Sequence, residues 1–314
     1  MKSLISAVTA VAALSLLVPS GVAGQGFAQP GRPKGAGART WRAERATLPP
    51  YSPPRLPDGR PNLQGRWGGS SSGDDIEETE QVDPTTPPWE SWVSDPADGR
   101  IPYQRWAMAE RKKHRAGLAR GVTGETGERL FMDPQTFCMK SVPRYAQRGY
   151  ELVQAPGYVV MMLNWGHFHR RIPLDDRPRP GASAQFWMGI ARGRWDGDTL
   201  VVESTNFNGK MWLDSVGNFA SEHVRVIERL RLVEANTLDY EVTIDDPTVF
   251  TQAWTLSYRL RRAGTGGGGG AATVNDPYAA ESWEHACHEG NAHHVEGARD
   301  LGFKWFPGVT PPQR

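Results

Sequence analysis

Residues 185–205 read QFWMGIARGRWDGDTLVVEST and carry the strongest fold signal in the chain. Two β-prone runs, residues 185–195 and 198–205, flank the pair Asp196 and Gly197. Asp-Gly is a favoured pair in two-residue hairpin turns, because both central positions of such a turn need a positive φ. The stretch therefore predicts two antiparallel strands joined by a tight turn.

Similar runs continue on both sides of this hairpin, separated by turn residues. Successive strands with short links predict a mainly β fold: an antiparallel meander that is barrel-like or a sandwich, since both arrangements protect strand edges. No glycine-rich phosphate loop precedes a helix, which argues against a nucleotide-binding α/β fold. The further predicted strands are residues 150–154, 158–163, 168–174, 223–233, 237–244, 251–261 and 281–287.

The N-terminus has the three parts of a secretory signal peptide. Lys2 precedes an apolar run at residues 4–18, and small residues follow at 22–24. The run is shorter than the roughly 20 apolar residues that span a bilayer, although an uncleaved anchoring helix is the alternative. We interpret residues 1–23 as a signal peptide and expect a periplasmic or extracellular protein with no stable membrane anchor after cleavage.

The remaining chain divides by composition into a linker and one domain. Residues 24–60 are rich in proline, glycine and arginine and predict a linker, because such a stretch buries little apolar area. Residues 61–314 are long enough for a single β-rich domain. Its N-terminal part, residues 83–102, is rich in proline and tryptophan, and residues 103–119 predict one short helix.

The charge balance gives no reason to expect a nucleic-acid partner. The chain has 36 Lys and Arg against 35 Asp and Glu, a formal net charge of +1 at pH 7. A near-neutral protein provides no strong field to attract a polyanion. A small molecule is therefore the expected partner.

The chain contains two cysteines, Cys138 and Cys287. An oxidising compartment outside the cytoplasm favours their pairing, and an even number of cysteines agrees with it. We expect a disulfide between them, with two buried free thiols as the alternative.

Five motifs follow one another along the chain. They are DGRPNLQGRW at 58–67, RIPLDDR at 171–177, WMG at 187–189, GRWDGDTLVVES at 193–204 and CHEGN at 287–291. Their order resembles a large family of secreted bacterial proteins, abundant in acidobacteria and proteobacteria and known mainly as hypothetical proteins. The resemblance covers about residues 58–300 and implies export and β structure, but no catalytic residue. The chain departs from it at Asp176, where relatives usually carry glycine, and in the glycine tract at 266–270.

A shorter motif, Gly65-Arg66-Trp67, precedes the predicted meander. It is similar to the Gly-x-Trp motif in the first strand of lipocalin-like barrels. The motif recurs at Gly193-Arg194-Trp195, so this resemblance bears on the fold alone.

One predicted strand carries a carboxylate in the middle of its apolar face. Alternation places Glu228 between Val226 and Leu230 on the inward side. A buried carboxylate must find a partner or take up a proton. Glu228 is therefore either half of a structural ion pair, with an arginine such as Arg171, or a general acid or base.

Histidines provide a second set of candidates. His167 and His169 share one face of a predicted strand and could act with Glu228 as acid and base. Together with His288, beside Cys287, they could instead hold a divalent transition metal. The alternative is that these histidines are solvated or hydrogen bonded. No other cofactor is expected.

These features lead to three functional hypotheses. The first is an exported protein that binds a small, partly apolar or aromatic ligand in a β-sheet cavity, since barrel-like sheets form such cavities. The second is an acid–base enzyme, a lyase, isomerase or hydrolase, that uses Glu228 with His167 or His169. The third is a metal-dependent enzyme built from the histidines. Candidate ligand-binding residues are Arg171, Trp165, Trp187, Trp254 and Glu203, although tryptophan in a β core is the commoner arrangement.

Overall fold

The computed structural model describes eleven stretches of the chain. They are residues 37–68, 76–77, 90–119, 133–139, 141–144, 149–163, 166, 168–263, 286–300, 302 and 304–312. The predicted signal peptide, the glycine tract, Trp165 and His167 lie outside them. Of the predicted strand at 281–287, only residues 286 and 287 are described; residue 287 lies in a turn and neither is in a strand.

Ten antiparallel strands form one sheet that curls into a nearly closed barrel. The sheet order is β5-β4-β3-β1-β10-β9-β8-β7-β6, with β2 paired to β10. The mainly β, barrel-like prediction is thus confirmed. The strands are β1 Gly65–Gly68, β2 Val93–Asp95, β3 Tyr150–Ala155, β4 Tyr158–Leu163, β5 His169–Pro173, β6 Ile190–Asp196, β7 Thr199–Thr205, β8 Arg225–Glu234, β9 Thr237–Asp245 and β10 Trp254–Arg262.

The Asp-Gly hairpin forms as the sequence predicts. Strands β6 and β7 pair from Ile190 opposite Thr205 to Asp196 opposite Thr199. Gly197 in the turn has a φ of 56°, a left-handed conformation that glycine adopts without steric cost. This hairpin begins a regular meander from β6 to β10.

Strand β1 interrupts the meander. Trp67 of β1 lies opposite Tyr150 of β3 on one side and Arg262 of β10 on the other. The early strand therefore joins the sheet formed by β3–β5 to the sheet formed by β6–β10. Sequence order alone would have placed β5 beside β6 as hydrogen-bonded neighbours.

Strands β5 and β6 instead face each other across the closing edge of the barrel. Gly193 of β6 is buried there, and a Cβ atom at this position would lie 2.7 Å from Leu174 Cδ2 and 2.9 Å from Ile172 Cγ2. A glycine at residue 193 allows the end of β5 to pack against β6 without a hydrogen-bonded ladder.

The inward faces of the strands carry large side chains that pack against each other. On β8, buried and more exposed residues alternate over most of the strand, as expected when one face meets a core. Small barrels fill their interior in this way. Fully buried core residues include Trp67, Tyr150, Leu152, Met161, Leu230, Tyr240, Val242, Trp254, Tyr258 and Leu260.

Three α-helices lie outside the sheet: α1 Ala38–Thr47, α2 Arg105–Ala119 and α3 Asn291–Asp300. Helix α2 confirms the helix predicted at residues 103–119. Among the described residues, no helix is long and apolar enough to cross a membrane.

Helix α1 corrects the interpretation of residues 24–60 as a linker, which is wrong over the part that the structure describes. Trp41 is only 4% exposed, and its Nε1 donates to Asp239 Oδ1 of β9 at 2.9 Å. Arg45, one turn later, pairs with Asp239 and with Glu241 at 3.0 Å. One tryptophan and two ion pairs anchor the helix to the barrel, although the surrounding sequence is proline-rich.

The start of α1 is stabilised by a residue distant in sequence. No side chain at the N-cap position, Gly37, can bind the free amides of the first turn. The Glu90 carboxylate accepts from the backbone N–H of Gly37 at 3.2 Å and of Thr40 at 3.0 Å. Burial acts to raise the pKa of Glu90, but these hydrogen bonds prevail and hold it below its ordinary value.

The predicted disulfide is confirmed. The Cα atoms of Cys138 and Cys287 lie 5.9 Å apart, and both sulfurs are bonded to each other. Cys138 follows a short 3₁₀ turn, Pro134–Phe137, and Cys287 precedes α3. The bond therefore attaches the C-terminal helix to the middle of the chain, across a separation of 149 residues.

Replacing Trp41 by alanine should lower the free energy of unfolding by about 3–5 kcal/mol, because truncating a buried tryptophan leaves a cavity. Asp239 also loses its indole donor. Urea denaturation measures the change. Arg39→Ala, on the same helix but 67% exposed, should change the free energy by less than about 1 kcal/mol. Equal midpoints for the two variants would contradict the packing of α1 on the barrel.

Candidate functional site

Strand β8 places Glu228 inside the barrel, fully buried, as alternation predicts. Its Oε2 lies 2.5 Å from Arg170 Nη2, and Tyr240 Oη donates to its Oε1 at 2.7 Å. Arg170 also donates to Ser204 Oγ of β7 at 2.6 Å. The geometry is that of the structural ion pair, the first of the two roles that the sequence left open.

The arginine partner is Arg170, and the expectation of Arg171 is wrong. Arg170 is 4% exposed, whereas Arg171 points outward and stacks on the ring of Tyr158 at 4.5 Å. The sequence did contain the signal: Arg170 shares its strand face with the apolar residues Ile172 and Leu174. Alternation from those residues selects Arg170 as the inward arginine.

Burial and charge together fix the protonation of this internal cluster. Burial acts to lower the pKa of Arg170, but the charge of Glu228 and its hydrogen bond outweigh that effect and raise it. Burial raises the pKa values of Tyr150 and Tyr240 well above their ordinary value. The guanidinium therefore stays charged and both phenols stay neutral over the whole physiological range.

Of the two histidines in the acid–base hypothesis, the structure describes His169, and this residue does not lie next to Glu228. His169 is exposed on the outer face of β5, while Glu228 is on the inner face of β8. The barrel wall separates them. His167 lies outside the described residues, so its pairing with Glu228 stays a prediction.

The metal hypothesis finds no support in the described part of the chain. His288 is exposed in the turn before α3. Within the residues that the structure describes, no three His, Cys, Asp or Glu side chains come together in a way that could hold a metal ion. A site that includes His167 stays a prediction.

Two of the candidate ligand-binding tryptophans are described. Trp254 is fully buried and packs edge-on against Phe250, with ring centroids 5.4 Å apart. Trp187 is half-buried in the turn before β6. Trp254 is thus part of the β core, which was the alternative to a role in ligand binding.

A groove of about 430 Å³ lies on the outer surface of β6–β8, next to the loop that follows β5. Its floor contains Gly193, Val201 and Ile227. Three acidic residues, Asp175, Asp176 and Glu203, line it together with six arginines, so the arginines exceed the acids by three and the formal charge is +3. The arginines are Arg177, Arg179, Arg192, Arg194, Arg225 and Arg229. Of the candidate ligand-binding residues that the structure describes, only Glu203 belongs to this arginine groove.

Two of the acids pair with arginines of the loop that follows β5. Asp175 accepts from Arg177 Nε at 2.6 Å, and this hydrogen bond lowers the pKa of Asp175 to about 2. Glu203 lies 3.2 Å from Arg179 Nη2, and Arg179 also donates to Thr205 Oγ1 at 2.6 Å. The contacts of Arg179 connect the loop to the outer face of β7, whereas the pair of Asp175 with Arg177 lies within the loop.

Positive charge is crowded at the groove. Burial lowers the pKa of Arg192, and the nearby charges of Arg179 and Arg177 lower it further. Arg192 donates to the backbone carbonyls of Arg177 and Pro178 at 3.3 and 3.1 Å. Among the described residues, Arg194 and Arg225 have no carboxylate partner, and both are exposed. Such a concentration of guanidinium groups favours an anion as occupant.

Comparison with family models, with curated proteins and with solved structures finds no match to this chain. The assignment of the site therefore depends on its geometry. Sequence reasoning missed the arginine groove, because outward-facing arginines on a strand have the pattern of ordinary solvent-exposed residues. The one available signal was the repetition of arginine at alternate positions, 192 and 194 on β6 and 225, 229 and 231 on β8.

Replacing Glu228 by glutamine should destabilise the protein by about 3–5 kcal/mol, because it leaves Arg170 buried without its counter-charge. Chemical denaturation measures the loss. Glu234→Gln serves as the control on the same strand, since its side chain is 47% exposed. The double variant Arg170→Met, Glu228→Leu should recover most of the loss. A double variant as unstable as Glu228→Gln would contradict the ion-pair account.

Proposed function

We propose that this chain is an exported protein that binds a small organic anion in the arginine groove. The observation that carries the proposal is the excess of six arginines over three acidic residues around one groove. Guanidinium groups form charge-assisted, often bidentate hydrogen bonds with carboxylates and phosphates. A groove of about 430 Å³ is within the usual size range of small-molecule sites.

The floor of the groove favours a ligand with an apolar body. Val201 and Ile227 contribute aliphatic surface between the arginines. Burying such surface beneath a ligand is favourable at about 25 cal/mol per Å². We therefore keep the hypothesis of a partly apolar ligand and add that this ligand carries an anionic group.

We place the ligand outside the barrel and not in an internal cavity. The inward faces of the strands carry large side chains that form one hydrophobic core. Glu228 and Arg170, which lie among them, form an ion pair with each other. We do not propose acid–base chemistry at Glu228, because a fully buried carboxylate paired with an arginine has no access to a substrate.

Export is supported by two independent features. The chain begins with a charged, apolar and small-residue sequence of the kind that directs secretion. Its two cysteines form a disulfide, a bond that persists in oxidising compartments. We therefore propose a periplasmic or extracellular binding protein.

The protein should bind 2-naphthoate more tightly than the neutral analogue 2-naphthol, because only the former has a charge for the arginines. The double variant Arg194→Gln, Arg225→Gln should weaken 2-naphthoate binding by about tenfold or more, since a hydrogen bond to a charged group is worth about 1.5–3 kcal/mol. Isothermal titration calorimetry measures both. Affinity should also fall as salt rises, through screening of exposed charges.

Arg231→Gln is the matched control. It removes the same charge from an exposed position on β8, two residues beyond Arg229 and outside the groove. Its affinity for 2-naphthoate should equal that of the wild type. The proposal fails if the wild type prefers 2-naphthol, or if the double variant and Arg231→Gln bind 2-naphthoate equally.

A further inference from the structure

The arginines of the groove that lie on strands form two rows. One row is Arg192 and Arg194 on β6, and the other is Arg225 and Arg229 on β8. Strand β7 runs between them. Because neighbouring strands lie about 4.8 Å apart, the backbones of the two rows are separated by about 10 Å.

The register of the sheet places apolar surface between the rows. Val201 of β7 lies opposite Arg194 on one side and opposite Arg229 on the other. Ile227 of β8 lies opposite Glu203 of β7, which in turn lies opposite Arg192. An occupant that crosses straight over at the level of Arg194 contacts Val201 at its middle. One that runs diagonally from Arg194 to Arg225 crosses β7 at Glu203, which Arg179 contacts at 3.2 Å, with Val201 and Ile227 on either side.

Each row contains one arginine that has no partner among the described residues. Arg192 is occupied by the carbonyls of Arg177 and Pro178, and Arg229 lies 3.5 Å from Asp196. Arg194 on β6 and Arg225 on β8 remain, and both are exposed. The free hydrogen-bonding capacity of the groove is thus divided between its two sides.

The two free arginines are offset along the strands as well as across them. Arg194 lies opposite Val201 of β7. The last pair between β7 and β8 is Ser204 with Val226, so Arg225 is level with the next residue of β7, Thr205. Four residues along β7 correspond to about 13 Å. When both side chains extend straight out from these separate positions, their guanidinium groups are too far apart for one small anionic group to contact both.

We propose that the groove recognises a dianion, with two acidic groups held apart by an apolar body such as that of an aromatic or aliphatic dicarboxylate. Arg194 binds one acidic group and Arg225 binds the other, while Val201 and Ile227 contact the body. The charge of the groove agrees: a formal +3 is reduced further by two negative charges than by one. This inference rests on the proposed function and specifies its ligand class.

The test compares naphthalene-2,6-dicarboxylate with 2-naphthoate, which has the same ring system and one acidic group fewer. Isothermal titration calorimetry on the wild type should show the dicarboxylate binding about tenfold or more tightly, the effect of one additional charge-assisted hydrogen bond. Arg194→Gln and Arg225→Gln should each reduce the affinity for the dicarboxylate to about that of 2-naphthoate. Arg231→Gln should leave it unchanged.

The possible outcomes distinguish a failure of the dianion inference from a failure of the proposed anion binding. Equal affinities of the wild type for the two compounds, with 2-naphthoate still weakened in the double variant, would overturn the dianion and leave anion binding in place. No binding of either compound at millimolar concentration would overturn both. A preference for the dicarboxylate that persists in Arg194→Gln and Arg225→Gln would also overturn the inference, since the overall field and not these two arginines would then be responsible. Unchanged melting temperatures confirm that the variants are folded.

Discussion

The ion pair between Arg170 and Glu228 is the interaction on which the closure of the barrel depends. It connects β5, at one end of the sheet order, with β8, near the other end, and Ser204 of β7 joins it through Arg170. Burying two charges is costly, so such a pair is weak evidence for stability as such. Here the pair selects the register of β5. A slip of β5 by one residue would turn Arg171 inward and Arg170 outward, and Glu228 would lose its partner.

The register of β5 also determines what lies outside the barrel. The chain leaves β5 at Pro173 and crosses the outer face of β6–β8 before it enters β6. Arg177 and Arg179 in this loop reach the groove because the end of β5 is held against Gly193. The two faces of one strand thus have different roles. On β8, Glu228 is buried inside the barrel, whereas its neighbours Ile227 and Arg229 line the groove.

The remaining surface elements explain why the groove lies where it does. Helix α1 covers part of the outer face of β9 and β10 through Trp41, and Arg45 neutralises Asp239 and Glu241 beneath it. The outer face of β6–β8 has a loop in place of a helix, and that loop leaves part of the face open as the groove. Asp239 and Glu241 on the outer face of β9 are thus occupied by a helix, whereas Arg194 of β6 and Arg225 of β8 are exposed.

The sequence by itself determined strands β3 to β10, the Asp-Gly turn, the inward direction of Glu228 and the disulfide, because each follows from local pattern or from the chemistry of two residues. Local pattern could not place β1 between β3 and β10, since strand pairing depends on residues far apart in the chain. It missed α1, whose single tryptophan is stabilised by contact with β9 and β10, strands that are distant in sequence. It also missed the groove, because arginines on three elements become one site only when the sheet and the loop after β5 bring them together. Charges of one sign repel each other in the unfolded chain as in the folded one, and only the tertiary structure holds these arginines together around one groove.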